Sequence, residues 1–564
     1  MTDPARNAVI YYADDAYSPE SKGLNGRRVA GASFLKGFFR HAEVEEFVSL
    51  SQGTNGAKSF AKLYAASTQR DVPHRPVFMA EPLRMDPLGT LYYPSPNFAG
   101  EAWKRQRFGM GSYAICGVTH TTATQSVMQG FLDLRAAPQA PCDAIICTSK
   151  AVHAATLRNI ELADDHLLDR FGSLPPKPLL PVIPLGINCD DFAHDPKARK
   201  RLRERMNWGN DDIVVATLSR LLPYGKFDPG PLFIALERAQ ARLPKGKKLH
   251  FVACGIYGDT HSQTVFESCA KAFMPAVSYL HLDGADATAR IETLSGADIF
   301  TFPIDNIQET FGLAPIEAMA AGLPVVTSDW DGMRDTVTED VGIRIPTLTV
   351  GPDHTAPEAW RYHHGGLSYQ QYGNNLSAMT EIDLAALTDA IVALALDEDK
   401  RRAMGKAGQK RAREIYDWAQ IVPQMQDLWA EQAAIRSAHA DKLPKSPVPT
   451  PMAPSPTDLF ESYPSRIADQ GVCHAVAIGD EATLEAVLTA RRYDKIGGMF
   501  ERPDTLKRIL RVILAAGEQG TDARAVARTL NMNILTVERS WVFFLKYGLI
   551  ERRDFRCRAW RRHR

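Results

Sequence analysis

Two glutamates eight positions apart, Glu309 and Glu317, bracket the most chemically suggestive stretch of this 564-residue chain. The stretch reads Asp305-Asn-Ile-Gln-Glu309-Thr-Phe-Gly-Leu-Ala-Pro-Ile-Glu317-Ala-Met-Ala-Ala-Gly-Leu-Pro-Val-Val. Pro315 fits the first turn of a helix, where its missing N–H costs nothing. The amides of Phe311, Gly312 and Leu313 then sit at a helix N-terminus, where free N–H groups and the helix dipole favour phosphate. Gly312 lets the backbone approach a ligand closely. Carboxylates accept hydrogen bonds from hydroxyls and do not bind phosphate. The pattern therefore suits a phosphate lying between two polyols, as in a nucleotide sugar.

A second candidate group is Ser219-Arg220-Leu-Leu-Pro-Tyr-Gly225-Lys226. Arginine offers planar multidentate donation and lysine a mobile point charge, a combination that suits a diphosphate. The segment Glu309–Glu317 with its continuation Ala-Met-Ala-Ala-Gly-Leu-Pro-Val-Val resembles the Glu-x7-Glu motif of retaining glycosyltransferases of family 4, which have the GT-B fold. The resemblance spans roughly residues 1–435 and is strongest over 180–340. It implies that Glu309 and the following amides hold the donor sugar, and that Glu317 holds the ribose. It gives Arg220 and Lys226 the diphosphate, although the family order is Lys-Gly and here it is Gly-Lys.

The same resemblance points to Gly26, in the Gly23-Leu-Asn-Gly26 loop, as a donor-side or acceptor-side glycine, with an ordinary loop as the alternative. It points to His120 beside the donor sugar, with a satisfied loop histidine as the alternative. Asp329-Trp-Asp331 has Asp-x-Asp form, but it falls beyond the site and reads as a turn and helix cap, with no metal implied. No cofactor is expected apart from the nucleotide-diphosphate sugar as substrate. By the resemblance, the acceptor hydroxyl attacks from the face the diphosphate leaves, giving retention, and the leaving diphosphate can take the acceptor's proton. A glycan or lipid-linked acceptor, in polysaccharide or glycolipid assembly, follows from family habit.

The elements that must position these residues alternate between strand and helix. Apolar runs at 9–13, 89–94, 113–118, 143–147 and 179–184 read as buried strands, with helices at 28–40 and 124–134 between them. A second series has strands at 213–218, 249–253, 279–282, 299–302 and 324–327, and helices at 231–243, 262–272, 287–294 and 314–321. Alternation of this kind predicts an α/β fold of two tandem Rossmann-like domains facing a cleft. The expected domains are 1–186, with a return helix at about 412–436, and 187–411. Residues 347–380, rich in glycine and aromatics, read as a lid or surface excursion. Helices follow at 384–396 and 399–435. A proline-rich linker occupies 437–457.

The remaining residues, 458–564, resemble a mainly helical winged-helix domain. The rhythm lies in 521–550, with a preceding helix at 506–515 and a basic strand-like tail at 551–564. Over the whole chain 66 Lys+Arg balance 66 Asp+Glu, which excludes a uniformly basic polyanion binder. Residues 502–564 nevertheless hold 15 Lys/Arg against 6 Asp/Glu, a net of +9, so the rest of the chain carries −9. Thr536, Arg539, Ser540, Phe543 and Tyr547 read as the outer face of the second helix, and aromatics there suit a protein partner or a homo-oligomer better than DNA bases. An electrostatic tether to an anionic membrane is the other expectation for this module. DNA binding ranks below both. The alternative function is a nucleic-acid-binding regulator that senses a sugar nucleotide.

None of the eight cysteines forms a Cys-x-x-Cys pair, and most sit in apolar runs, as small core residues of a reducing compartment do. The N-terminal residues lack a signal-peptide pattern, and no stretch approaches about 18–20 apolar residues. A cytoplasmic location, peripheral at the inner face of the membrane, is expected.

Overall fold

The computed structural model describes residues 3–17, 26–443, 451–452, 454–468, 474–492 and 501–553. The chain divides into two units, Met1–Met452 and Ala453–Arg564. The first unit contains two six-stranded parallel sheets. The strands of the first sheet are β1 (Val9–Tyr11), β2 (Phe47–Ser51), β3 (His74–Phe78), β4 (Thr90–Tyr93), β5 (Ala114–Val118) and β6 (Ala144–Ile146). Those of the second are β7 (Ile213–Leu218), β8 (Leu249–Gly255), β9 (Ser278–Asp283), β10 (Ile299–Phe302), β11 (Val325–Ser328) and β12 (Gly342–Ile345).

The spatial orders are β3-β2-β1-β4-β5-β6 and β12-β11-β10-β7-β8-β9. Numbered within each sheet, both have the order 3-2-1-4-5-6, so the expected pair of Rossmann-like folds and the GT-B architecture are present. The apolar runs read as strands because both faces are covered: every residue of β7, β8, β10 and β11 is buried. The run at 179–184 is different. It contributes only isolated bridges, Ala144 to Leu179 and Cys147 to Val182, because prolines 181 and 184 interrupt its ladder.

The helix expected over 399–435 is broken. Glu398–Arg411 passes through a π turn, Ala412–Tyr416, and ends at Asp417, which caps a new helix, Trp418–Ala438. The break serves the domain crossing. Ile187 N–H donates to the Tyr416 carbonyl at 2.8 Å, and Trp418 N–H donates to the Ile187 carbonyl at 3.0 Å. The chain passes twice between the sheets here, and the two passes pair. Trp418 then packs against Gly37 and Gly186; a Cβ at either would lie within about 2.6 Å of the indole. The helix Trp418–Ala438 buries Ile421, Val422, Met425, Leu428 and Trp429 in the core of the first sheet.

Residues 347–380 are folded. Strands β13 (Thr347–Thr349) and β14 (Thr380–Ile382) pair antiparallel around the helices Ala356–His363 and Tyr369–Ser377. Tyr362, Tyr369 and Tyr372 cluster between them, with the Tyr369 and Tyr372 ring centroids 5.9 Å apart.

In the second unit, strands β15 (His474–Ala477), β16 (Thr521–Asp522) and β17 (Ile550–Arg552) form a three-stranded sheet with β15 in the middle. Helices Pro503–Ala515, Ala523–Leu530 and Ile534–Lys546 enclose a core of Leu506, Ile509, Leu510, Val526, Trp541 and Phe544. Ser540 and Phe543 are buried, so the outer face expected for the last helix is incorrect. The exposed positions are Leu535, Arg539, Val542 and Lys546, because the helix is covered on two sides. The tail 554–564 and residues 444–450 and 453 of the proline-rich linker lie outside the described residues. Among the described residues no helix is long and apolar enough to cross a membrane.

Candidate functional site

In an open parallel sheet the crevice at the carboxyl edge forms where the strand order reverses. In the second sheet that point lies between β7 and β10, which pair with Phe300 opposite Ala216. The loop after β7 carries Arg220 and Lys226, and the loop after β10 carries Glu309 and Gly312. Segments about eighty residues apart in sequence are therefore brought together by topology alone. Lys226 and Glu309 form a partly buried ion pair.

The loop after β10 is held rigid by its own polar side chains. Asp305 accepts from the Asp228 amide at 3.0 Å and from the Ser377 hydroxyl at 2.5 Å. Asn306 donates to the Tyr224 carbonyl at 2.7 Å, and its own carbonyl accepts from the Trp330 indole at 3.1 Å. The Lys226 and Glu309 loops are thus fastened to each other before any charge is considered.

Gly312 caps the helix Leu313–Ala320 in a left-handed conformation, φ +81°. A Cβ there would come within 2.8 Å of the Met333 sulfur, so both conformation and space call for glycine. Its amide donates to Glu309 Oε1 at 3.1 Å. Phe311 is buried and packs on Tyr416. Leu313 begins the helix, with its side chain against the core.

Burial raises the Glu309 carboxyl's pKa, but the Lys226 charge and the amide hydrogen bonds outweigh it, and the net shift is downward. Glu317 behaves oppositely: burial pushes it up to about 7, against a smaller opposing pull from Arg290. Arg220 is exposed, and its side chain makes no hydrogen bond or ion pair among the described residues.

The first sheet closes the site from the other side. His120 follows β5, and its carbonyl accepts from the Thr310 hydroxyl at 3.1 Å. Ser149 caps the 22-residue helix Lys150–Phe171, and its hydroxyl donates to the Thr310 carbonyl at 2.9 Å. The Lys150 amide donates to Asp335 at 2.7 Å. Gly26 begins the helix Gly26–His41, and the rest of its loop, 18–25, lies outside the described residues. A pocket of about 490 Å³ opens between the sheets, lined by Thr122, Met128, Ala151 and Asn159 from one side and Glu309 and Asp331 from the other.

Sequence reasoning assigned Asp331 to a helix cap, and the structure corrects this. Gly332 caps the short helix Met333–Thr336, without a side-chain bond. Asp329 pairs with Arg344 at 3.3 Å, while Asp331 points into the pocket wall. Among the described residues no three His, Cys, Asp or Glu side chains gather as a metal site. Ser149 and Thr310 were also missed. The Ser-Lys step directly after the apolar run at 144–147 was the available signal, since serine before a helical stretch marks an N-cap.

Three site carboxyls share raised values: Asp305 and Glu317 at about 7 and Asp331 at about 8, each mainly from burial. Their unfolded values lie near 4. At these three groups the folded state holds more protons than the unfolded one between these limits, so their contribution to stability falls as pH rises from about 4 to 8. Glu317→Gln is therefore expected to raise the melting temperature at pH 8 and to leave it nearly unchanged at pH 4. Differential scanning fluorimetry across that range checks it; equal shifts at both ends would contradict the assignment.

Residues 198–350 match the family described as glycosyl transferases group 1. A curated relative in Mycolicibacterium smegmatis, a GDP-mannose-dependent alpha-(1-6)-phosphatidylinositol monomannoside mannosyltransferase, is 27% identical over 275 residues, 48% of this chain and 61% of that protein. A D-inositol 3-phosphate glycosyltransferase of Kineococcus radiotolerans is 30% identical over 237 residues, 39% of this chain and 51% of that protein. The chain thus spans between half and two-thirds of the length of these relatives. Among solved structures, Anabaena HepE in complex with UDP aligns over 75% of this chain and all of its own, at 14% identity and a TM-score of 0.48. Both site glutamates, Glu309 and Glu317, lie inside the stretch 198–350 that is similar to the glycosyl transferases group 1 family.

Proposed function

We propose that the protein transfers a sugar from a nucleoside-diphosphate sugar to a hydroxyl acceptor, with retention of configuration and without a metal ion in the transfer step. The observation that carries this reading is the meeting of Lys226, Glu309 and the Gly312 helix start at the switch point of the second sheet. Donor diphosphate lies over the Gly312–Leu313 amides, with Arg220 and Lys226 meeting the charge that develops on it as the sugar–oxygen bond breaks. These cationic and amide donors supply the stabilisation that a bound cation supplies elsewhere. Glu309 holds sugar hydroxyls and Glu317 the ribose hydroxyls. His120 stands beside the sugar from the first sheet. The acceptor hydroxyl attacks from the face the diphosphate vacates, and the diphosphate takes its proton. Closing Ser149 and His120 against Thr310 excludes water and suppresses hydrolysis.

The relatives act, by their names, on phosphatidylinositol mannosides and on an inositol phosphate, which supports a polyol or lipid-linked acceptor. The basic second unit supplies a place for an anionic surface or a protein partner, and the catalytic unit works on the membrane's inner face. The test is turnover of GDP-mannose and UDP-glucose in the presence of D-inositol 3-phosphate or a membrane lipid extract, followed by proton NMR of the product anomer. An α-linked product from an α-linked donor is expected. A β-linked product would overturn retention, and a strict dependence on added magnesium or manganese would overturn the metal-free step.

A further inference from the structure

Four non-glycine residues adopt positive φ among the described residues: Asn207, Asp331, Arg492 and Asn531. Asn207, Arg492 and Asn531 each close a helix, where a left-handed residue is ordinary. Asp331, at φ +44°, closes none. It sits in the turn after β11, directly before Gly332. A strained non-glycine residue that no cap explains points to a function for its side chain.

That turn is pressed against the Glu309 loop. A Cβ on Gly332 would lie 2.5 Å from the Phe311 Cα and 2.8 Å from the Thr310 carbonyl oxygen. Asp331 is thereby held beside Glu309, and both line the pocket between the sheets. Asp331 Oδ2 is buried and has no partner at full hydrogen-bonding distance among the described residues, although the Gly332 amide and the Ser149 hydroxyl pull weakly on the carboxyl. A buried polar atom without a partner is costly unless a ligand supplies one. The pocket wall around it is mixed: Trp330 and Met128 offer apolar surface, and Thr122 and Asn159 offer polar atoms. Such a wall suits a sugar ring, with carbon faces and a rim of hydroxyls. Asp331 and Glu309 both stand on loops of the second sheet, the sheet that carries the phosphate cradle. The ring they face is therefore the one attached to the diphosphate.

We propose that Asp331 is a donor-sugar-binding residue, its free carboxyl oxygen hydrogen-bonding a ring hydroxyl beside the one held by Glu309. The proposal rests on the nucleotide-sugar reading of the site. Burial and the neighbouring Glu309 charge push the Asp331 carboxyl up to about 8, so near neutral pH it holds its proton and can donate as well as accept.

The test separates sugar from nucleotide. Affinities of the full chain for GDP, GDP-mannose, UDP and UDP-glucose are measured by calorimetry, and the gain in affinity due to the sugar is taken from the pair that binds. Asp331→Asn keeps the shape, and Asp331→Gly suits the positive φ without strain, so both variants should fold. Asp331→Gly is expected to weaken the nucleotide sugar about tenfold or more, and Asp331→Asn, which like the protonated carboxyl both donates and accepts, to weaken it less, each leaving the matching diphosphate within about twofold. Glu309→Gln serves as the positive control for loss of the sugar gain. Unchanged sugar affinity in both Asp331 variants overturns the proposal while leaving the nucleotide-sugar reading intact. So does an equal loss for diphosphate and nucleotide sugar, or a wild type with no sugar gain. A wild type that binds none of the four overturns the nucleotide-sugar reading itself, and the Asp331 assignment with it.

Discussion

Glu309→Ala is expected to lower sugar transfer by about two to three orders of magnitude while leaving diphosphate affinity equal or higher. The reason lies in what the Glu309 carboxylate does. It accepts from the Gly312 amide at 3.1 Å and pairs with Lys226, so it holds both the backbone donor and the cation assigned to the diphosphate. On the proposed assignment, removing it frees Lys226 for phosphate but deletes the hydrogen bonds to the sugar. Lys226→Ala is expected to act in the opposite sense, weakening diphosphate binding first and leaving the partly buried Glu309 carboxylate without its counter-charge. The double variant should cost less than the sum of the two, since each single change strands the other partner. Transfer rates and diphosphate affinities for the four proteins check this. Strictly additive losses would mean that the pair is a contact without consequence.

The largest stability effect is expected at the opposite end of the cleft wall. Arg105 and Asp143 are fully buried, side chains at 0% exposure, and they form a bidentate pair at 2.5 and 2.8 Å. Asp143 also accepts from the Ile115 and Ala140 amides at 3.0 and 2.8 Å. Arg105 reaches on to the Tyr113 and Pro138 carbonyls, each at 3.0 Å. Asp143 thus ties the start of β6 to β5, the strand that leads to His120. Asp143→Ala strands a buried guanidinium and two amides, and should cost about 3–5 kcal/mol. Against a usual net stability of about 5–15 kcal/mol, that is a large fraction. Replacing both partners with leucine and methionine should cost clearly less, because no charge is left unpaired. Urea unfolding followed by tryptophan fluorescence measures the difference. An Asp143→Ala cost below about 1 kcal/mol would contradict it.

β12 was not read, but four strands of the second sheet, β7, β8, β10 and β11, were legible because they are buried on both faces and read as continuous apolar runs. β2 and β3 were not. β2 buries Ser49 and Ser51, whose hydroxyls are satisfied by His74 and the Gly53 carbonyl, so its polarity concealed its burial. β3 is an edge strand containing Pro76, with only Val77 buried. The break at Asp417 carries no glycine or proline, since a domain crossing dictates it and local propensity does not. In the site, Glu309, Glu317 and Gly312 could be read from spacing because they lie on one loop and its helix. Asp331 could not. Asp331-Gly332 is an ordinary turn pair, and only the packing of that turn on Thr310 and Phe311 gives the carboxylate its place.

The +9 balance of residues 502–564 belongs to the second unit, where Arg539 and Lys546 are exposed together with Leu535 and Val542. That mixed basic and apolar stripe replaces the aromatic face expected from the sequence. It leaves the protein partner, the homo-oligomer and the anionic membrane as the proposals for this unit, with DNA below them.

The most direct test of the central claim is a calorimetric titration of the full chain with GDP and UDP, repeated with Arg220→Ala and Lys226→Ala. The wild type is expected to bind at least one of the two without added metal, and each variant to weaken that binding by roughly tenfold or more. Absence of binding to both nucleotides, or binding unaffected by either substitution, would contradict the phosphate cradle on which the account rests.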